Sequence, residues 1–114
     1  MKKGGTVIKG NCYEVNGRWM IEFDQFGKNG YKLVHGVAMN QKDGKSMGHC
    51  WIEKDDLVYD YSNDKELIIP KEIYYEIGQI PFDGHKLYKY NYKDMGKMIL
   101  KHEHWGPWDS KPPR

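Results

Sequence analysis

The stretch Gly48-His49-Cys50-Trp51-Ile52-Glu53-Lys54-Asp55-Asp56-Leu57-Val58-Tyr59-Asp60-Tyr61-Ser62 constrains this chain more than any other. Two runs rich in β-branched and aromatic residues, 49–53 and 57–61, flank a polar Lys-Asp-Asp turn, which is the pattern of a β-hairpin. Side chains alternate along a strand, so any two-residue turn within residues 54–56 keeps His49 and Asp60 on one face. A Lys54-Asp55 turn sets them directly opposite. An Asp55-Asp56 turn makes them diagonal neighbours, and in both cases their Cβ atoms are within about 5–8 Å. The other face collects Cys50, Ile52, Leu57, Tyr59 and Tyr61, apolar enough to be a core face. Trp51 shares the face of His49, either as a wall of a substrate cleft or as cover for the sheet.

What surrounds the hairpin is one domain, residues 1–114, with 1–9 and 109–114 expected as loose ends. Nine Tyr, four Trp and three Phe imply a core built from large rings. The 18 basic residues stand against 16 acidic ones, a balance that does not imply a nucleic-acid partner. Two cysteines do not make a disulfide framework. The basic start is not followed by an apolar run, and no stretch is long and apolar enough for a membrane span, so a cytoplasmic protein is expected.

Helical spacing predicts a helix over residues 12–23, opened by Asn11 as cap with Glu14 three residues later, and stacking Cys12, Val15, Trp19 and Phe23. Gly17 weakens it slightly, and the 27–30 turn ends it. Strands are expected at 6–8, 31–39, 66–69 and 85–90, with a polar loop at 40–47 and a turn at 62–65. Pro70 suits the first turn of a helix that Gly78 ends. Asn91 suits the cap of a helix over 92–101, and the aromatic tail 102–108 is expected to pack on the domain. The order of elements predicts an α+β fold with a small antiparallel sheet.

Cys12 falls in the first turn of the predicted helix, where unpaired N–H groups and the helix dipole favour a thiolate. A thiol nucleophile needs a base near neutral pH, which imidazole supplies, and imidazole needs a carboxylate to orient it. Cys12, His49 and Asp60 offer those groups in that order. The backbone N–H of Cys12 is a candidate oxyanion donor, and so is the Asn11 amide if it is not spent on the cap.

Gly-His-Cys-Trp-Ile-Glu followed by Val-Tyr-Asp-Tyr-Ser resembles the His-Ala-Trp-Val-Glu … Val-x-Asp pattern of transglutaminase-like proteins, and Asn11-Cys12-Tyr13-Glu14 resembles a nucleophile helix. The chain is thus similar, over roughly residues 10–62, to papain-like cysteine enzymes in the broad sense, which include the NlpC/P60 hydrolases. The resemblance implies a papain-like fold and a Cys12–His49–Asp60 triad; a protein or peptide substrate is expected, bound by Asn11, Trp51 and Trp105, with no cofactor. Two departures stand out: the chain is small for the class, and no clear Gln precedes Cys12. The 70–78 segment and the terminal Gly-Pro-Trp-Asp also resemble small phage-encoded proteins. That likeness motivates a rival expectation: a non-enzymatic binder of a host defence factor, in the host cytoplasm, using a surface around Trp51, Glu53 and Trp105.

The bland readings are an inert buried Cys12 and a merely structural His49–Asp60 pair. Cys50 is a rival nucleophile, but alternation places it on the apolar face. A zinc site from Cys12, His49, Cys50, His102 and His104 lacks any C-x-x-C or H-x-x-x-H spacing, and no metal is expected.

Overall fold

A computed structural model of the chain describes residues 12–24, 27–39, 46–62, 66–80 and 87–109. The expected strand at 6–8, the Asn11 cap and residue 85 lie outside the described residues. At the centre is the hairpin: β2 (Ser46–Lys54) and β3 (Leu57–Asp60) pair antiparallel with Ile52 opposite Tyr59. The turn is Asp55-Asp56, with Asp55 in the left-handed region at φ 54°. His49 and Asp60 are therefore the diagonal neighbours of the second register. β1 (Lys32–Met39) pairs with the other side of β2, and β4 (Leu67–Pro70) with β3. After β4, helix α2 (Lys71–Gly78) crosses one face and delivers β5 (Tyr88–Tyr90) to the far edge, beside β1. Among the described residues the result is a five-stranded antiparallel sheet in the order β4-β3-β2-β1-β5, with three helices: a small α+β fold.

Alternation divides the core into two layers. On one face Leu33, Cys50, Ile52 and Tyr90 meet α1 (Cys12–Phe23) and α3 (Tyr92–His102) through Cys12, Met20 and Met95. On the other face Val34, Trp51 and Val58 meet Tyr74 and Tyr75 of α2. The Trp51 ring lies over Gly36 of β1, where a Cβ would come within 3.0 Å of the indole. Only a glycine leaves the sheet room for this ring.

The helices start and stop as the sequence indicates, but α1 is turned. Its buried stripe is Cys12, Asn16, Gly17 and Met20. Trp19, placed in the expected stripe, is 41% exposed, and Val15 and Phe23 are half-buried. Two local facts explain the rotation. Trp105 packs against Gly17, where a Cβ would be 2.7 Å from the ring, so the glycine is a contact surface and not just a weak helix former. Asn16 is buried because its amide makes three hydrogen bonds into the sheet. Asp24 closes the helix by accepting from the backbone N–H groups of Asn29 and Tyr31. Asn91 caps α3 by accepting from the Asp94 N–H, and Pro70 precedes α2 as the last residue of β4.

The C-terminal segment packs as expected, and further than expected: Tyr90 donates to Asp109, so that residue is anchored and not a loose end. Trp108, Tyr90 and Tyr13 enclose His35 with ring centroids 4.8, 5.0 and 5.0 Å away. His35 is fully buried, and neither ring nitrogen has a hydrogen-bond partner among the described residues. Burial lowers its pKa to about 4, against the opposing charge of Asp109. A histidine held neutral this way contributes stability above its unfolded pKa near 6.5 and loses it as pH falls through about 4. His35→Phe keeps a ring and removes two unpaired nitrogens, each costing about 1–3 kcal/mol when buried bare. The variant is expected to be more stable and to lose the acid limb between about pH 6.5 and 4. Urea titrations at both pH values check this, and an unchanged acid limb would contradict it.

Candidate active site

Where β2 and β3 stop pairing, one side chain of α1 takes over. Beyond the Ile52–Tyr59 pair, the next rung of the ladder would join Cys50 to Tyr61. Asn16 stands in for it: its Nδ2 donates to the Cys50 carbonyl at 2.9 Å, and its Oδ1 accepts from the Tyr61 N–H at 2.9 Å. The same Nδ2 donates to Asp60 Oδ1 at 3.1 Å. An asparagine amide has the donors and acceptor of a peptide group, so it can replace a rung and satisfy the backbone groups the strands leave open. The consequence is positional. Cys12 is four residues earlier on the same face of α1 and is carried to the parted end of the hairpin.

There the three expected residues meet. His49 Nε2 is 3.0 Å from Asp60 Oδ2. The Cys12 thiol lies near enough to the same imidazole to raise its pKa. His49 and Asp60 side chains are 14% and 9% exposed. Cys12 is 7% exposed.

Asp60 is held by more than the histidine. Its Oδ1 also accepts from the Ser62 N–H at 3.0 Å and the Ser62 hydroxyl at 2.8 Å, and its Oδ2 accepts from the Tyr74 hydroxyl at 2.8 Å. Burial alone would raise its pKa; His49 and the donors around the carboxylate outweigh that and hold it well below the ordinary range. Burial alone would lower His49; the hydrogen bonds to Asp60 and Cys12, and their charges, raise it from 6.5 to about 10. The centre therefore keeps an imidazolium beside a sulfur across the neutral range. This arrangement supports nucleophilic sulfur chemistry with a proton donor at hand.

The other expected site residues fare differently. Trp51 is fully buried, its indole N–H donating to Glu53 at 2.8 Å, with its ring 6.0 Å from that of His49. It covers the sheet and does not wall an open cleft. Trp105 packs on Gly17 beneath the Arg18 guanidinium, more than one helical turn along from Cys12. Asn11 lies outside the described residues. The rival binding surface loses its middle: Trp51 and Glu53 are inside, and Glu53 also accepts from Tyr75 and pairs with Lys89 at 3.2 Å. Cys50 is fully buried on the face opposite His49, as alternation requires, and burial pushes its thiol well up. His102 and His104 approach each other at the end of α3, with centroids 5.9 Å apart. Among the described residues no group of three His, Cys, Asp or Glu gathers as metal ligands would. Nor is any described helix long and apolar enough to cross a membrane.

Asn16, Ser62 and Tyr74 are the residues the sequence reading missed. Asn16 carried a signal: an asparagine four residues after a candidate nucleophile, in a helix interior that disfavours it. Tyr74 carried none, since it comes from an element on the opposite face.

Comparison with known proteins finds no matching family model, no matching curated protein and no matching solved structure.

Proposed function

We propose that this chain is a papain-like cysteine enzyme that transfers an acyl group from an amide or ester bond of a protein or peptide. The observation that carries the reading is the gathering of Asp60, His49 and Cys12, with His49 Nε2 3.0 Å from the Asp60 carboxylate and the Cys12 thiol near the same ring. The order of the residues along the chain, and a thiol at the first turn of a helix facing a His-bearing strand, support the papain-like assignment.

In this reading the Cys12 sulfur attacks the carbonyl carbon and the π electrons move onto oxygen. In the same reading the Cys12 backbone N–H, at the start of α1, receives that charge. As the carbonyl re-forms, the bond to the leaving nitrogen or oxygen breaks, and His49 gives that atom its proton. Water then attacks the thioester, surrenders a proton to His49, and releases the acid and the sulfur. An amine in place of water gives transamidation; a carboxamide substrate losing ammonia gives deamidation. Asp60 stays ionised and holds the ring in place.

An activated ester such as p-nitrophenyl acetate tests the chemistry without knowledge of the substrate. Wild-type protein is expected to release a burst of nitrophenol and to carry one acetyl group on Cys12 by mass spectrometry. Acetylation confined to lysines, or unchanged in Cys12→Ala, would refute the assignment.

A further inference from the structure

Cys50 has no part in the acyl-transfer chemistry, yet it is placed where a second thiol would matter. Both cysteines are free, and both are buried in the same apolar cluster between α1 and the sheet. Cys12 lies near the ring of His49, the residue that precedes Cys50 on β2. Asn16, one turn after Cys12, grips the Cys50 carbonyl at 2.9 Å and so holds the backbone of α1 within a side chain's length of Cys50. The Cys50 side chain lies on the face of β2 that meets α1, in one apolar cluster with Cys12, Met20 and Leu33. A charge on the Cys12 sulfur is also felt at Cys50, second only to burial.

We propose that Cys50 is a resolving thiol for Cys12, and that a small hydroperoxide converts the pair into an intramolecular disulfide that switches the centre off. The proposal rests on the reading of Cys12 as an activated nucleophile. In the first step the Cys12 sulfur attacks one oxygen of the hydroperoxide. The S–O bond forms, the O–O bond breaks, and the departing oxygen takes the His49 proton, leaving as water when the oxidant is hydrogen peroxide. In the second step the Cys50 sulfur attacks the sulfenic sulfur. The S–S bond forms, the S–O bond breaks, and hydroxide leaves with the Cys50 proton as water. Overall two thiols lose two electrons, and the hydroperoxide gains them. Because both thiols belong to one chain, closing the bridge needs no second thiol from solution. Closing the bridge takes the Cys12 sulfur away from His49, and with it the nucleophile.

The test uses the whole protein, hydrogen peroxide at neutral pH, and dimedone as a trap for sulfenic acid. Wild type is expected to lose two hydrogens by intact mass, to yield a linked Cys12–Cys50 peptide, and to regain both thiols with dithiothreitol. In the bridged form, alkylation of Cys12 should fall by at least about tenfold. Cys50→Ala should instead accumulate a dimedone adduct on Cys12, while its ester acylation before oxidation stays at the wild-type rate; Cys50→Val serves if the smaller side chain unfolds the protein. A dimedone adduct or sulfinic acid on wild-type Cys12 with Cys50 still free would overturn the proposal. So would indifference of Cys12 to peroxide while ester acylation proceeds, an outcome that leaves the acyl-transfer reading standing. A bridge that forms in a protein the ester cannot acylate would sink that reading and keep the redox pair.

Discussion

Asp60→Ala is expected to cost the fold about 3–5 kcal/mol and to leave His49 uncharged at neutral pH. The size follows from what the carboxylate holds together. It accepts from His49, Asn16, Tyr74 and both donors of Ser62, and it is 7% exposed, so water cannot replace it in a relaxed structure. Removing it strands an imidazole, an amide and a hydroxyl that come from three elements. The sign of the pH effect is separable for the two ionised partners. Asp60 has a folded pKa below its ordinary value, so its contribution is present above about pH 4 and is lost as pH falls further. His49 has a folded pKa raised to about 10, so its contribution is complete below about pH 6.5 and is lost as pH rises toward 10. Denaturant titrations from acid to alkaline pH are therefore expected to show both limbs in wild type, and neither contribution in Asp60→Ala. Nitrogen NMR of the His49 ring should place its titration far lower in the variant, because burial then acts without the carboxylate. A variant of wild-type stability with an unmoved His49 titration would mean the contacts to Asp60 are incidental. Asn16→Ala, which removes one donor and two backbone partners but no charge, is expected to destabilise while leaving the His49–Asp60 pair.

His49→Ala is expected to slow acylation of Cys12 by p-nitrophenyl acetate roughly 100- to 10,000-fold, the range for loss of a positioned acid–base group. His49 is the imidazole that stands between the Asp60 carboxylate and the Cys12 thiol. His35, the other buried histidine, is ringed by Tyr13, Tyr90 and Trp108 and is held neutral, so it cannot substitute as a proton donor near pH 7. Stopped-flow release of nitrophenol measures the effect. A loss smaller than about threefold would assign His49 to the architecture alone.

The parts of this centre that follow local rules were legible in the sequence. Alternation along 48–62 put His49 and Asp60 on one face and Cys50 on the other, and both placements hold, because a strand allows only two directions for a side chain. The start of α1 at Cys12 was legible from its spacing and its first-turn acid. What remained hidden depends on contacts between distant elements. The apolar stripe read along α1 chose Val15, Trp19 and Phe23 by hydropathy, while the buried stripe contains Asn16 and Gly17. The reason is that a ladder rung missing at Cys50–Tyr61 needs an amide, and Trp105 needs a bare backbone to lie on. Trp51 read as a cleft wall because its face was known and its cover was not. Tyr74 and Tyr75, arriving across the sheet on α2, bury it. The clasp around His35 likewise joins β1, β5, α1 and the C-terminal segment, and no window of sequence contains all four.

The central claim is that the Cys12 sulfur and the His49 imidazolium act as one unit. Its most direct measurement is the rate of iodoacetamide alkylation at Cys12, followed by mass spectrometry from about pH 5.5 to 9.5 in wild type and His49→Ala. Wild type is expected to react at about pH 6.5 roughly 10- to 100-fold faster than the variant. Alkylation of wild type that begins only at alkaline pH, on the same curve as the variant, would contradict the account.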